Sequence, residues 1–599
     1  MRRVLPLLII PLLAGCLDGD DPVSVEEPVD TVPALTTASF TSYLHDLSPV
    51  VPGLNMDTAI IENLRTGISE TIQLDTWVAR PNTPEPVPLV LEVTPYYGGG
   101  NPSDPANALG GWNTMHTTLL ERGYAVGISS VRGTGNSGGC FTQGGPEEAR
   151  DTAVMVEHMA SLPWSNGNVG IIGVSYPGTT PQDVWVEATP ALKAVVPISG
   201  ISDLYKYNFV NGVPINPQGY AFNTYYWALV GASPAGLSGG GQWLGNPAHV
   251  ATAVAGEACA DQVDVQAGGA TSALDGNKDE YWQIRDFGAE LRDSRDKDAD
   301  RAAMWFIHGL QDWNVKPHMM EDWIEDLQDT GVPFKAWLGQ WGHAWPGSRT
   351  CGDAAENIGA ACRGDWWDEG LVAWFDQWLR GIDTGIMDAP AVQVQDDTGV
   401  WRHERHWPSA TETQRLHLGA GTLGEPGTGS SSYFDGRGGQ LSLPIDNQVD
   451  QAQWRSEPVA ENLTLSGMPV FHANITSSGA RASLVLSLAT EAPNGERRSF
   501  NFCMQSLNHV ASLESGNVDV SGMRQEVEVA CFPQDDVVPA GHRIVLIASG
   551  NTVGSPGPSV TPVGDGSTIT IEHEGAWLDL PVDASRVVEA PQPYKVLLS

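Results

Sequence analysis

Gly173-Val174-Ser175-Tyr176-Pro177-Gly178 closes an apolar run, Asn168-Val169-Gly170-Ile171-Ile172-Gly173-Val174, that reads as a buried strand passing into a helix. A strand that ends at a serine between small residues is how a hydrolase presents a nucleophilic hydroxyl. The small neighbours permit a turn too tight for residues bearing a Cβ, so the hydroxyl stands clear of the sheet. Strict G-x-S-x-G would put glycine at 177, where this chain has proline, so the motif needs partners elsewhere. Gly135-Asn136-Ser137-Gly138-Gly139 satisfies the pattern to the letter. It follows Arg132-Gly133-Thr134 instead of a strand and leads into turn-rich sequence, so context favours Ser175.

A nucleophilic serine needs a base to take its proton and an acid to orient that base. The strand-like run Met304-Trp305-Phe306-Ile307-His308-Gly309 leads to Asp312, and the segment Phe334 to Gly342 ends at His343 in a turn. The order Ser175, Asp312, His343 is that of an α/β-hydrolase. His308 lies inside an apolar strand and reads as a core histidine; His318 follows a proline at a helix start. Asp322 and Asp326 fall on an amphipathic helix, where a solvated face is expected. For the oxyanion formed on attack, the backbone N–H of Tyr176 is one donor by position. The loop after Pro88–Thr94 offers the hydroxyl of Tyr96, with Tyr97 the lesser candidate.

The chain has 599 residues, 41% apolar and 17% charged, enough for several globular domains. Arg2-Arg3, a short apolar run and Leu13-Ala14-Gly15-Cys16 read as an export signal. That run is too short to span a bilayer. Residues 17–36, acidic and rich in Pro, Val and Thr, read as a tether. Setting Cys16 aside leaves an even number of cysteines in an exported chain, so disulfides are expected. Spacing suggests Cys351 with Cys362, Cys503 with Cys531 and Cys140 with Cys259, one choice among many. No clustered His and Cys suggests a metal, and no cofactor is called for. A net charge of −40 argues against nucleic acid as a partner.

From Thr71 to Gly200, short apolar runs alternate with helical stretches, the pattern of a largely parallel sheet covered by helices. Residues 206–290 are rich in Gly, Asn, Ala and aromatics and read as a cap inserted between core segments 37–205 and 291–390. After that the sequence breaks into short alternating strands, which predicts an all-β sandwich over 391–599.

Thr94-Pro95-Tyr96-Tyr97, Val131–Cys140, Gly173–Pro181, Phe306–Pro317, Leu338–His343 and Trp374–Pro390 resemble, in order, segments of the bacterial Xaa-Pro dipeptidyl-peptidases and cocaine-esterase-type hydrolases. The resemblance implies an α/β-hydrolase core, a helical cap and a jelly-roll, galactose-binding-like C-terminal domain. It also implies Ser175 as nucleophile, Asp312 and His343 as the rest of the triad, and Tyr96 as oxyanion donor. Leu13-Ala14-Gly15-Cys16 resembles the bacterial lipobox, which implies acylation of Cys16 and a lipoprotein held at the cell envelope, its membrane contact made by that anchor alone. The wording around Asp312 and His343 is closer to the peptidases, which would release Xaa-Pro from peptides with a penultimate proline. Such an enzyme needs a carboxylate for the substrate ammonium, and Asp279 and Glu280 are candidates beside a packed Tyr-Trp pair. The chain lacks the long N-terminal helical domain of the lactic-acid bacterial members, which leaves the oligomeric state open, a homodimer included. Two other readings stand: an esterase or amide acylase acting on small acyl substrates with the same triad, and a binding lipoprotein with a vestigial triad.

Overall fold

The computed structural model describes residues 40–96, 114–216, 275–288, 301–346, 364–435, 450–552, 557–560 and 566–583. Cys16, the tether, Tyr97, Cys259, Cys351, Cys362 and most of the cap lie outside them. Among the described residues no helix is long and apolar enough to cross a membrane.

The predicted parallel sheet is formed. Its strands are β1 (Ile60–Gly67), β2 (Gln73–Arg80), β3 (Val87–Thr94), β4 (Ala125–Ser130), β5 (Ser165–Val174) and β6 (Leu192–Ile198). A short hairpin, β7 (Phe209–Val210) and β8 (Val213–Asn216), lies outside it, and the sheet resumes with β9 (Ala303–Gly309), β10 (Phe334–Gly339), β11 (Val392–Gln395) and β12 (Trp401–Glu404). The order is β1-β2-β4-β3-β5-β6-β9-β10-β11-β12. From β4 through β3, β5, β6, β9 and β10 to β11 every pair is parallel. The sheet therefore runs past residue 390, where the sequence changes character. Val392-Gln-Val-Gln alternates like a sandwich strand, yet all four residues are buried.

Alternate side chains of one strand serve opposite faces. Leu89, Leu91, Ile171, Val195, Met304, Phe306 and Leu338 join the core under helices α2 (Pro146–Ala160), α3 (Tyr176–Val186) and α6 (His318–Thr330). Val90, Ile172, Val196, Trp305, Ile307 and Trp337 join the core under α1 (Thr114–Glu121) and α7 (Gly364–Phe375). Trp305 and Trp337 meet edge to face at 4.6 Å in the middle of that second layer. Two short helices, α4 (Leu204–Asn208) and α5 (Glu280–Gln283), are the described helices of the cap region.

The C-terminal region is the expected all-β domain: a nine-stranded and a four-stranded sheet around a common core that includes Phe471, Leu486, Leu546 and Leu578. The predicted runs become strands Val470–Ser477, Ser483–Glu491, Arg524–Ala530, Arg543–Ser549 and Thr568–Glu572. Cys503 is bonded to Cys531, and Cys140 is also disulfide-bonded.

The β domain is stitched to the rest at several places. Strand Ser559–Val560 pairs with β8. His509 fills a space bounded by Gly212, Gly276 and Gly516, where an added Cβ would lie 2.7, 3.2 and 2.6 Å from its ring. Its Nδ1 meets Ser506 Oγ at 2.9 Å and its Nε2 meets Asn277 Oδ1 at 3.0 Å. Because Asn277 Oδ1 also accepts from Gly516 N, Nε2 is the protonated nitrogen and donates. Arg402 of β12, fully buried, donates from Nη1 and Nη2 to the two oxygens of Asp535 at 2.6 Å each and from Nε to Glu404.

Removing one partner of a buried ion pair strands the other charge away from water. Arg402→Met should therefore cost about 3–5 kcal/mol of stability, read as a lowered midpoint in denaturant unfolding; a loss below about 1 kcal/mol would contradict this role for the pair.

Candidate active site

Ser175 sits at the carboxyl end of β5 with φ 68° and ψ −129°, left-handed backbone that a non-glycine residue adopts only when its surroundings force it. The forcing is visible. Ser175 N donates to Ile198 O of the neighbouring strand, and Ser175 O accepts from Gly178 and Thr179 as α3 begins. A Cβ on Gly173 would lie 2.3 Å from Pro177 O, and one on Gly178 would lie 2.3 Å from Ile198 O. The two close approaches of this elbow fall at 173 and 178, so position 177 is free to hold a proline, which suits the first turn of a helix. Ser137, the literal motif match, is a buried structural residue: its Oγ accepts from Asp75 N and donates to Ser130 O.

Asp312 follows β9, His343 follows β10, and these strands are neighbours. The loops beyond them interlock. Leu310 N donates to Gly339 O and Gln311 N to Trp341 O, while Trp341 packs where a Cβ on Gly309 or Gly339 would otherwise lie. Across them His343 Nδ1 donates to Asp312 Oδ2 at 2.7 Å. Asp312 Oδ1 accepts from Asn314 N and Val315 N, which fixes the carboxylate in its turn. With Nδ1 donating, His343 Nε2 carries the lone pair. No hydrogen bond joins Ser175 Oγ to His343 in this structure, and such bonds commonly tighten only with substrate.

Burial alone would raise the Asp312 carboxyl, but His343, its hydrogen bond, His308 and Ser199 outweigh it and hold Asp312 below the usual carboxylate range. Burial would lower His343, and Asp312 reverses that, holding the imidazole above its ordinary value. Burial takes the ammonium of Lys316 down to about 7 against the pull of Asp312; its Nζ donates to Asn314 O and Tyr207 O. His308 is the core histidine the sequence suggested, with Nε2 on Val315 O at 2.8 Å. Asp326 is buried, not solvated, on α6.

Tyr176 is the first residue of α3, so its N–H has no acceptor within the helix. Its ring meets that of half-buried Tyr96 edge to face at 6.3 Å. The Tyr176 hydroxyl donates to Glu148 Oε2 at 2.7 Å, and Glu148 Oε1 accepts from Thr142 N and Oγ1. Burial pushes the Glu148 carboxyl up, and the bonds from Tyr176 and Thr142 offset only part of this. Glu148 thus anchors the residue after Ser175. In the sequence it is one acid of a helix's first turn, and nothing local distinguishes it from Glu147.

Asp279 caps α5, accepting from Tyr281 N at 3.1 Å, and Glu280 is exposed. Tyr281 and Trp282 are buried beside them. No hydrogen bond or ion pair links Asp279 or Glu280 to Ser175 or His343 among the described residues. Close by, Lys278 Nζ is held by two buried carboxylates, Asp203 at 2.7 Å and Asp286 at 2.6 Å. Among the described residues no group of three acidic, His or Cys side chains could hold a metal ion.

Residues 70–345 match the family described as X-Pro dipeptidyl-peptidase (S15 family), and residues 384–571 match the X-Pro dipeptidyl-peptidase C-terminal non-catalytic domain. A Bacillus anthracis protein provisionally named a Xaa-Pro dipeptidyl-peptidase is 28% identical over 83% of this chain and 85% of its own length. The fold is similar to that of an aminopeptidase from a marine-sediment Thaumarchaeota archaeon, with TM-score 0.70 and 18% identity over 90% of this chain and 98% of that one. It is similar as well to an α-amino acid ester hydrolase, with TM-score 0.69 and 19% identity over 89% and 98%. An α/β-hydrolase core bearing a serine elbow, joined to this β domain and matched along most of its length, belongs to the X-Pro dipeptidyl-peptidase (S15) family of hydrolases.

Proposed function

We propose that this chain is a serine exopeptidase that releases Xaa-Pro dipeptides from the free N-terminus of peptides through a Ser175–His343–Asp312 triad. The observation that carries the reading is the 2.7 Å bond from His343 to a buried Asp312, both on loops at the same carboxyl edge of the parallel sheet as the Ser175 elbow. Ser175 Oγ attacks the carbonyl that follows proline while His343 Nε2 takes the hydroxyl proton. The resulting oxyanion accepts from Tyr176 N–H and the Tyr96 hydroxyl. His343 then protonates the departing amine, leaving the dipeptide esterified to Ser175. Water, deprotonated by His343, cleaves that ester and restores the serine.

The substrate ammonium requires a carboxylate. In this reading Glu280, exposed and without a capping duty, meets it, with Asp279 fixing the turn. Acylation of Cys16 would hold the enzyme at the cell envelope, a reading supported by Leu13-Ala14-Gly15-Cys16. One observation favours the esterase or amide acylase instead: Asp279 is spent on a helix cap, and Asp203 and Asp286 already hold Lys278. An enzyme with no demand for a free amine would tolerate that arrangement.

Hydrolysis of Ala-Pro-anilide, its N-blocked analogue and a short-chain phenyl ester separates the readings. The peptidase should cleave the first, lose at least about tenfold on blocking the amine, the cost of one unpaired charged contact, and lose all activity as Ser175→Ala. Equal or preferential ester cleavage overturns the peptidase in favour of the esterase.

The base must be neutral to accept the serine proton. Because Asp312 raises the His343 value, kcat/KM should fall on acidification with a midpoint above that of ordinary histidine. In Asp312→Asn the activity remaining should show that midpoint moved to lower pH and kcat reduced by roughly 10⁴-fold; an unmoved midpoint would count against the pair.

A further inference from the structure

We propose that Gln534, on strand Gln534–Val538 of the C-terminal β domain, positions the Asp312–His343 pair from outside the catalytic domain. This rests on the reading of those two residues as acid and base. Gln534 is buried, its Nε2 donates to Leu310 O at 2.6 Å, and its Oε1 accepts from Gln311 Nε2 at 3.4 Å. Leu310 and Gln311 are the two residues that lead into Asp312.

Gln311 Nε2 also donates to Gln340 Oε1 at 2.9 Å, and Gln340 stands at the head of the turn that delivers His343. Gln340 Nε2 reaches back to the β domain, donating to Asp535 O at 2.9 Å, and also to Gln395 O at 3.2 Å. Its backbone N–H donates to Gln395 Oε1, and Gln395 Nε2 donates to Gly399 O. Four side-chain amides thus run in a chain from the β domain past the acid loop and the base loop to β11.

The orientation of Gln534, Gln340 and Gln395 is set by main-chain partners: Leu310 O, Asp535 O and Gly399 O each demand an N–H, and Gln340 N demands an oxygen. With those three fixed, Gln311 must present its NH₂ to both neighbouring oxygens. A network in which every amide has one possible orientation, with only Gln311 of the four partly exposed, holds its ends at fixed separation. Beyond it, Trp313 wedges between Phe502 and Phe532 of the same domain at 5.3 and 5.6 Å. The stretch from Leu310 to Trp313 is therefore gripped by the β domain on both sides of Asp312.

The test is Gln534→Met, similar in length but unable to hydrogen-bond, in the full-length enzyme against Arg498→Met. Arg498 contacts Asp397 across the same domain boundary and touches neither loop. Among the described residues, the charged and titratable groups around His343 are Asp312, His308 and Lys316. If Asp312 is displaced, His343 loses the partner that raises it, so the acid limb of kcat/KM moves to lower pH.

Gln534→Met should reduce kcat by roughly ten- to a hundredfold, as expected for a displaced catalytic group, with KM little changed and the acid limb shifted down; Arg498→Met should leave the limb in place. Should Gln534→Met fail to fold, Gln311→Met breaks the amide chain from the loop side, removing the bonds from Gln311 to Gln534 and Gln340 while sparing that to Leu310 O. Where both fold, the double variant should be no worse than the worse single one. Wild-type kcat and pH profile in Gln534→Met, or an equal limb shift in Arg498→Met, overturns the proposal. Asp312→Asn separates the two levels: full activity there sinks the triad reading itself. Loss there with a normal Gln534→Met sinks only the positioning role.

Discussion

Trp341 occupies space that two neighbouring strands vacate. A Cβ on Gly339 would lie 1.7 Å from its ring, and one on Gly309 would lie 2.3 Å from its carbonyl oxygen. Both strands must therefore end in glycine for the loops beyond them to cross. Because those loops cross, Leu310 and Gln311 find carbonyl partners at Gly339 and Trp341, and the loops that carry Asp312 and His343 are tied to each other through their backbones. Only then can a 2.7 Å contact between two side chains be held without a long search through rotamers. The elbow at Ser175 is built the same way, from a glycine at 173 and another at 178 that let α3 and β6 close around a strained serine.

Much of this is legible in the sequence, for identifiable reasons. The parallel strands are buried on both faces, so they read as unbroken apolar runs, and the residue after each run lands at the same edge of the sheet. Ser175 is the first residue past such a run, and Asp312 and His343 fall three and four residues past theirs. Proline at 177 makes sense only once the close approach at Gly178 is seen, because the constraint comes from Ile198 on the next strand. The pairing of Cys503 with Cys531 follows from nearness along the chain.

What escapes the sequence depends on partners far away in it. Glu148 looks like any acid of a first helical turn until Tyr176 is folded against it. Asp326 sits in an amphipathic pattern yet is buried. Val392–Gln395 alternates like a sandwich strand, but β10 on one side and β12 on the other claim it for the central sheet. Gln534 is the extreme case: its partner Leu310 is 224 positions away, and no local pattern marks a glutamine whose task is to hold another domain's loop.

The imidazole of His509, enclosed by Gly212, Gly276 and Gly516, bears on how such enzymes can be recombined. Two of those glycines, at φ 79° and 74°, belong to the region inserted into the catalytic fold, and the third belongs to the sandwich. An exchange of C-terminal domains between homologues that brings a different residue to 509, or any side chain to those glycines, would leave either a void or a collision where the inserted segments meet the sandwich. A chimera would consequently have to move the segments around Gly212 and Gly276 together with the sandwich, although more than two hundred residues of sequence lie between Asn277 and His509.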